Sequence, residues 1–366
     1  MSWKSVSSIA LKLIVMGAAL AGQLLGQTAS QPKTENAKVE QRPVSGSFAQ
    51  TVDGWAKSAS RAQWLGYAVP AVSGDRQVCC GDWNGNGSCG PCRLEGVDHG
   101  SNISLRGDKV RLEGPRSLVV LLRAENGHIG RMRTVSEDCT IDAGGLQVIW
   151  LSDVNAGESV KYLERFVAAE EFEEHGHDRV SRGALTGIAL TGDPSADQAI
   201  ATFVAPDKPE GLRKEAAFWA GEARGAAGFA MLKRMAKSDP STEVRAHVTF
   251  ALSVSRENDA VDEMIRMAHE DTSTHVRGQA LFWLAQKAGK KASSTITGAI
   301  DNDPDTEVKK KAVFALSQMP KDEGVPKLIE VAQNNRNSEV RKQAMFWLGQ
   351  SNDPRALEFF EKVLSK

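Results

Sequence analysis

Apolar and polar side chains recur in step over residues 210–366. One phrase returns five times, as GLRKEAAFWA, EVRAHVTFAL, HVRGQALFWL, EVKKKAVFAL and EVRKQAMFWL. Matching positions lie 32 residues apart, at Leu212, Val244, Val276, Val308 and Val340. A second apolar pattern with the same step follows each phrase. Two amphipathic segments in a repeat of this length predict a solenoid of helical hairpins.

The spacing of the apolar positions within each phrase is helical. At about 100° per residue, Val244, Val248 and Leu252 fall on one face of a helix. Residues that suit the N-cap of a helix stand three places before each valine, at Ser241, Ser273, Asp305 and Asn337. We expect their side-chain oxygens to accept a hydrogen bond from an otherwise unpaired backbone N–H. The unit that begins near residue 210 has Pro209 at this place instead.

Acidic and basic residues keep the same step of 32 residues. The acidic series is Asp207, Asp239, Asp271 and Asp303, with Asn335 at the next place. The basic series is Arg213, Arg245, Arg277, Lys309 and Arg341. We expect acid–base pairs between the turns of neighbouring units. As exposed pairs they would contribute little energy but would help to set the register of the units.

An Asp-containing turn, a Val-Arg pair and a helix end rich in Ala and Leu resemble the HEAT-like repeats first named from phycobilisome bilin lyases. The resemblance covers residues 178–366, about half of the chain. It implies an α-solenoid. Members of that family are mostly protein-binding scaffolds and a minority are lyases. The resemblance therefore implies a protein partner, with a bilin-lyase-like enzyme as an alternative, because a fold alone does not determine an activity.

Aromatic residues occupy one position in every unit. The series is Phe218, Phe250, Phe282, Phe314 and Phe346, and alternate units add Trp219, Trp283 and Trp347 directly after the Phe. The Phe position lies about 120° around the helix from the valine that recurs every 32 residues. Packing within one unit therefore does not explain the Phe series. Two interpretations remain. Each Phe packs against the neighbouring unit, or part of the series is exposed and binds a partner protein.

The start of the chain has a different pattern. Lys4 and Lys12 give the start of the chain a positive charge. An apolar run from Leu13 to Gly26 follows, which is too short to span a membrane, and small residues such as Ala29 come after it. This order over residues 1–29 is typical of a secretory signal peptide. The end of the run has no cysteine, so a lipid anchor is not supported. We expect a secreted or periplasmic protein without a membrane span in the mature chain, and an uncleaved N-terminal anchor is the alternative.

Between the signal and the repeats the sequence predicts a linker and a small domain. Residues 30–46 are polar and predict a disordered linker. Residues 47–155 predict a β-rich domain, with a turn at residues 125–127 and strands at 64–72, 118–122, 129–135 and 146–151. A helix over 156–171 and an atypical first unit at 180–190 are expected to open the solenoid, which spans 156–366. The predicted fold class is α+β, mainly α.

The composition is that of an ordinary soluble protein. Of 366 residues, 41% are hydrophobic and 25% are charged, and the formal net charge is -1. A chain with this charge balance lacks the basic surface that nucleic acids need. We therefore expect no nucleic-acid partner.

All five cysteines lie in the predicted β-rich domain, at Cys79, Cys80, Cys89, Cys92 and Cys139. In an oxidising compartment, clustered cysteines indicate disulfides, and an odd count leaves one thiol over. Cys89-Gly-Pro-Cys92 looks like the dithiol of thioredoxins, although its flanking residues are not a buried strand and a helix. A structural disulfide is our main interpretation. The alternatives are a thiol–disulfide redox protein through Cys89 and Cys92 and a zinc site with Cys79 or Cys80.

Other metal-capable residues form incomplete patterns. Residues 82–87 fit the first half of a calcium loop, but Arg93 stands where a bidentate Glu belongs. The acidic run at 170–178 is interpreted as a solvated loop, and His269 with Glu270 is a single pair. The sequence has no Gly-x-Ser-x-Gly elbow, phosphate loop or zinc-protease motif. We predict a protein-interaction scaffold that is not an enzyme and holds no cofactor or metal.

Overall fold

The computed structural model describes most of the chain from residue 31 onward. The described residues are 31–74, 77–80, 92–95, 101–104, 116–168, 172 and 179–365. The strands are β1 (Thr34–Glu35), β2 (Lys38–Pro43), β3 (Gln63–Pro70), β4 (Gln77–Cys80), β5 (Cys92–Arg93), β6 (Ser101–Ser104), β7 (Ser117–Glu125), β8 (His128–Ser136), β9 (Ile141–Asp142) and β10 (Gln147–Ser152). The helices are α1 (Phe48–Ser58), α2 (Ala156–Glu164), α3 (Arg179–Leu190), α4 (Pro194–Phe203), α5 (Glu210–Ala223), α6 (Gly225–Ser238), α7 (Thr242–Val254), α8 (Ala260–Glu270), α9 (Thr274–Ala288), α10 (Lys290–Asn302), α11 (Thr306–Ser317), α12 (Lys321–Asn334), α13 (Ser338–Gln350) and α14 (Pro354–Leu364).

A five-stranded sheet in the order β2-β10-β3-β7-β8 forms the centre of the N-terminal part. β10 runs parallel to β2 and β3, whereas β3, β7 and β8 are antiparallel neighbours. The four predicted strands correspond to β3, β7, β8 and β10. Alternate residues of β7 point to opposite faces: Leu118 and Val120 join the large core, and Val119 and Leu121 join a smaller one. Because both sets of alternating side chains are apolar, β7 is buried on both faces.

The turn between β7 and β8 forms where the sequence predicts it. Asn126 has a φ of 51° and Gly127 a φ of 80°, both in the left-handed region. Two such residues in succession match the twist of a two-residue hairpin, and Asn-Gly is the pair best suited to them. The predicted hairpin is therefore confirmed.

The polar segment at 30–46 differs from the predicted disordered linker. Lys38–Pro43 pairs in parallel with Gln147–Ser152, and Thr34–Glu35 pairs with Ile141–Asp142. Every residue of β2 is exposed. Backbone hydrogen bonds place this edge strand in the sheet without an apolar face, so its composition resembles that of a linker.

A helix that the sequence reasoning missed follows directly. α1 begins after Ser47, whose side chain accepts from the backbone N–H of Gln50 while the Gln50 side chain accepts from that of Ser47. This reciprocal arrangement is a capping box. Phe48 and Val52 are fully buried in the large core. The region predicted as β-rich thus contains a helix that covers one face of the sheet.

The sheet and the first helical hairpin share one core. α2 ends at Glu164, earlier than the predicted 156–171, and Leu163 in it is fully buried. α3 corresponds to the predicted first unit and lies against β8: a Cβ on Gly183 would stand 2.7 Å from the Cβ of Met132. Ala71, after β3, also forms a β-bridge with Thr191, after α3. The large core therefore continues from the sheet into the repeats.

Six helical hairpins follow one another in the described residues, from α3–α4 to α13–α14. In the last five hairpins we call the first helix of each pair an A helix (α5, α7, α9, α11, α13) and the second a B helix (α6, α8, α10, α12, α14). Each A helix packs against the next A helix, and each of the first four B helices packs against the A helix that follows it. The repeated residues Leu212, Val244, Val276, Val308 and Val340 are almost completely buried. The predicted solenoid of stacked hairpins is confirmed.

The helix starts also follow the prediction. The side chains of Ser241, Ser273, Asp305 and Asn337 accept from backbone N–H groups at the starts of α7, α9, α11 and α13. Pro209 stands at the N-cap of α5 without a side-chain cap. No helix in the described part of the chain has the length and apolar character needed to cross a membrane.

Candidate protein-binding surface

The repeated phenylalanines lie on one side of the A helices. Phe218, Phe250, Phe282 and Phe314 are half-buried, whereas Phe346 in α13 is 55% exposed. Successive Phe rings stack in two pairs: the centroids of Phe218 and Phe250 are 5.8 Å apart, and those of Phe282 and Phe314 are 5.7 Å apart. Each stacked pair joins two neighbouring units. The phenylalanines therefore do pack against the next unit, and they still keep part of their surface accessible.

The tryptophans connect these stacked pairs into one continuous series. The Phe250 and Trp283 rings are 4.8 Å apart, and so are those of Phe314 and Trp347. Within α9, Phe282 lies 4.9 Å from Trp283. We call the whole series the aromatic row. Its members in order of contact are Trp219, Phe218, Phe250, Trp283, Phe282, Phe314, Trp347 and Phe346.

A surface groove of about 380 Å³ opens beside the aromatic row between α7 and α9. Phe250 and Trp283 form its apolar walls. Its polar and small lining residues are Lys214, Glu243, Ala246, His247, His275 and Gln279. The Nε2 atom of His275 lies 3.7 Å from a carboxylate oxygen of Glu243 in the preceding unit. Aromatic side chains surrounded by polar ones are the usual composition of a protein-binding site.

His247 is the titratable group most changed by this environment. Burial lowers the pKa of the imidazole below its ordinary value of 6.5, and the positive charge of Lys214 lowers it further. The ring meets Phe250 edge to face at 5.5 Å. Its Nε2 atom is buried and has no hydrogen-bond partner among the described residues. Burial in the groove thus favours the uncharged form of the imidazole. Sequence reasoning missed His247 and Gln279, although both lie within one helical turn of a repeated Phe.

The acidic and basic series form pairs between neighbouring units. The Nε atoms of Arg213, Arg245 and Arg277 lie 3.1, 2.9 and 2.8 Å from carboxylate oxygens of Asp239, Asp271 and Asp303. The sequence reasoning placed these pairs at the surface, but they are largely buried because the turns of successive units lie side by side. The hydrogen bonds that Arg245 and Arg277 donate to Asp271 and Asp303 raise the pKa values of the two guanidinium groups.

Each buried pair also holds backbone groups. Arg245 donates to the carbonyl of Asp239 at 2.9 Å, so it bonds to the turn before its own helix as well as to the next unit. Asp271 in turn accepts from the backbone N–H of Ser273 at 2.8 Å. One guanidinium and one carboxylate thus connect two consecutive turns. Such charge-assisted hydrogen bonds are stronger than neutral ones.

The ends of the two series depart from this arrangement. Asp207 is 71% exposed and forms an ion pair with the adjacent Lys208 at 3.2 Å. Lys309 donates to the carbonyl of Asp301. Arg341 donates to the carbonyls of Asn335 and Arg336. The buried ion pairs therefore connect the units from α5 to the start of α11.

The cysteines fall partly outside the described residues. Cys92 and Cys139 are buried in the smaller core together with Trp64. Each of the two cysteines has an interaction partner. Cys89 lies outside the described residues, as do the side chains of Cys79 and Cys80. The pairing of the five cysteines and a redox role for Cys89 and Cys92 thus stay predictions.

The residues of the possible metal-binding patterns are also largely outside the described part of the chain. Residues 82–87 and 173–178 also lie outside the described part. Within the described residues, no group of three or more His, Cys, Asp or Glu side chains comes together as a metal site. The surface with the most distinctive side chains in the described part is therefore the aromatic row and its groove.

The C-terminal part of the chain consists of HEAT repeats. A family model described as HEAT repeats matches residues 226–317, 261–345 and 293–366. The match agrees with the repeat units found in the sequence and with the helical hairpins. No curated protein sequence matches this chain.

Several solved structures are similar to the repeats at low identity. Human deoxyhypusine hydroxylase is 17% identical over 58% of this chain and 80% of its own, with a TM-score of 0.30. The complex of CpcE and CpcF of phycocyanin lyase from Nostoc sp. PCC7120 is 16% identical over 57% of this chain and 80% of its own, with a TM-score of 0.30. Kap121p is 12% identical over 57% of this chain, which spans 27% of Kap121p, with a TM-score of 0.37.

Proposed function

We propose that this chain is a secreted or periplasmic scaffold that binds a partner protein along the A helices. The observation that carries the proposal is the aromatic row, whose rings stay in contact from α5 to α13 and flank an open groove. Aromatic side chains are enriched where proteins bind one another, because they bury much area with few torsions to restrain. HEAT repeats support the same role, since proteins that carry them typically bind protein partners.

Phe346 is the best position at which to test the binding surface. Its ring is 55% exposed at one end of the aromatic row, so replacing it by Ser removes apolar surface with little loss of packing. Leu357 in α14 supplies the matched control, because it is 61% exposed but belongs to a B helix. Replacing Phe282 and Phe314 is less suitable, because their stacked rings connect two units.

The experiment is affinity capture from an envelope extract with three forms of the full chain: unchanged, Phe346→Ser and Leu357→Ser. A partner that binds the aromatic row is expected to be recovered by the first and third forms. The Phe346→Ser form is expected to recover it about tenfold less, the size of effect that a contributing interface aromatic has. Equal recovery by all three forms would contradict the proposal.

The proposed location rests on residues 1–29, which lie outside the described residues. Lys4, Lys12 and the apolar run are the features that support export. N-terminal sequencing of the mature protein from a fractionated cell tests this part of the proposal. Recovery of the intact N-terminus from the cytoplasm would contradict it.

We propose a binding role without catalysis, and two enzymatic alternatives have direct tests. A thiol–disulfide enzyme needs a reactive Cys89. Cys92, the second cysteine of the Cys-Gly-Pro-Cys motif, is fully buried. Failure to reduce insulin disulfides would remove this alternative. A bilin-lyase-like enzyme needs a bound tetrapyrrole, which visible absorbance would reveal in the purified chain.

A further inference from the structure

The aromatic row repeats over two units, whereas the backbone repeats over one. Phe250 and Trp283 meet at 4.8 Å with their planes inclined by 42°, and Phe314 and Trp347 meet at 4.8 Å and 40°. The stacked Phe pairs repeat in the same way, with interplanar angles of 11° and 4°. Ala251 and Ala315 occupy the Trp position in the units between. The same ring arrangement therefore occurs twice along one surface.

The polar residues beside the two ring arrangements repeat only in part. Glu243 and Gln279, which line the groove at Phe250, have Glu307 and Gln343 as their equivalents two units further on. Ala246 and His247 are replaced there by Lys310 and Lys311, respectively. We call the surface at Phe250 and Trp283 the first subsite, and that at Phe314 and Trp347 the second subsite. The first is lined by Lys214, Glu243 and His247, and in the second the ammonium of Lys310 pairs with Glu307 at 3.0 Å.

We infer that the two subsites together bind one extended polypeptide segment that carries two aromatic anchors about six residues apart, an inference that rests on the proposed function. Each anchor packs on one inclined Phe–Trp pair. Aromatic side chains suit these walls because rings prefer inclined and offset contacts with other rings. The glutamine in each subsite can donate to and accept from the backbone of an extended segment, since its amide has both functions.

The distance between anchors follows from helix packing. Neighbouring helices in contact have axes about 8–10 Å apart, so two units advance the surface by about 16–20 Å. An extended chain advances about 3.3 Å per residue, and side chains that share one face are separated by an even number of residues. A separation of about six residues meets both conditions. A separation of three residues is too short and places the second anchor on the opposite face.

The test uses labelled synthetic peptides and the full chain. One peptide has two Trp residues six positions apart in a Gly/Ser/Thr background, a second has them three positions apart, and a third has a single Trp. Fluorescence anisotropy measures the affinity of each. The first peptide is expected to bind at least about tenfold more tightly than the third, because its second anchor binds as part of an already bound molecule. The second peptide is expected to match the third.

Two equivalent variants separate the subsites. Gln279→Arg and Gln343→Arg place the same bulky group in the first and second subsites, and each is expected to reduce the affinity of the first peptide to that of the single-Trp peptide. Gln333→Arg is the control, since Gln333 is exposed on the B helix α12. Melting curves show whether each variant is folded. If an Arg variant does not fold, the Gln→Glu variant at the same position takes its place.

The outcomes distinguish this inference from the broader proposal. Equal affinity of all three peptides, undetectable binding of the first peptide, or sensitivity to only one of the two variants overturns the two-anchor site. The binding role itself depends on the capture experiment with Phe346→Ser. If Phe346→Ser loses the partner but peptide affinity does not depend on anchor spacing, the chain is a protein-binding scaffold. The two-anchor peptide site is then rejected.

Discussion

Arg277 and Asp303 form a two-point ion pair between neighbouring units. The Nε and Nη2 atoms of the guanidinium lie 2.8 and 3.0 Å from the two carboxylate oxygens. Only 10% of the Arg277 side chain and 7% of the Asp303 side chain are exposed. Arg277 also donates to the carbonyl of Asp271. One arginine thus fixes the relative position of two consecutive turns.

Removal of Asp303 should therefore be costly. Asp303→Ala leaves Arg277 buried without its counter-charge, and we expect the free energy of unfolding to fall by about 3 kcal/mol or more. Asp207→Ala is the matched control, because Asp207 is exposed and pairs with the adjacent Lys208; its effect should stay within about 0.5 kcal/mol. Urea titrations of both variants measure the difference. Similar losses for the two would show that the buried pairs do not stabilise the array.

Close contact between A helices gives a second prediction. A Cβ on Gly221 would lie 2.1 Å from the carbonyl oxygen of Ala251, so Gly221→Ala is expected to push α5 from α7 and cost about 2 kcal/mol or more. Gly349 occupies the same repeat position in α13 and has open space around it. Gly349→Ala should leave stability unchanged or raise it by up to about 1 kcal/mol, since Ala favours helix. Thermal melting compares them, and equal shifts would refute the contact.

His247 gives a prediction about pH. Burial and Lys214 lower its pKa in the folded chain, whereas the unfolded chain keeps an ordinary value of 6.5. As the pH falls through 6.5 toward the lowered pKa, the unfolded chain binds a proton that the folded chain resists. The free energy of unfolding therefore decreases over this interval.

The measurement compares urea unfolding at about pH 7.5 and about pH 5. His247→Gln should lose less stability between the two pH values than the unchanged chain. His269→Gln, at an exposed position on α8, should behave like the unchanged chain. An unaltered pH dependence in His247→Gln would assign the acid sensitivity to other groups.

Lys287 caps a helix in the preceding unit. Its ammonium donates to the carbonyl of Ser253 at 2.7 Å and also to that of Ser255, at the end of α7. Lys287→Met leaves these carbonyls without the cation, and we expect a loss of about 1–3 kcal/mol. Lys237→Met, at an exposed position on α6, is the control and should change little. Chemical denaturation of both variants tests whether the contact is structural.

The solenoid was predictable because its signals are local and repeated. Ser241 caps its own helix three residues before Val244, and both residues are read from adjacent sequence. β2 was not predictable in this way. Its residues Lys38–Pro43 are all exposed, and their place depends on backbone pairing with β10, more than a hundred residues later.

The candidate surface was predictable in part for the same reason. The positions of Phe250 and Trp283 are visible in the sequence, but the contact between their rings depends on how two helices pack. His247 carries no repeated signal, because the equivalent residues are Glu215, Gln279, Lys311 and Gln343. The burial of Arg277 likewise depends on the closeness of neighbouring turns, which no single unit encodes.

The contact between Gly183 and Met132 joins the first hairpin to the sheet, so this end of the array has a large partner on its outer side. Consecutive hairpins contact one another through several helix pairs, as the last hairpin does through α11–α13, α12–α13 and α12–α14. A substitution that enlarges Gly183 would therefore separate α3 from β8 and disturb the sheet and the repeats together.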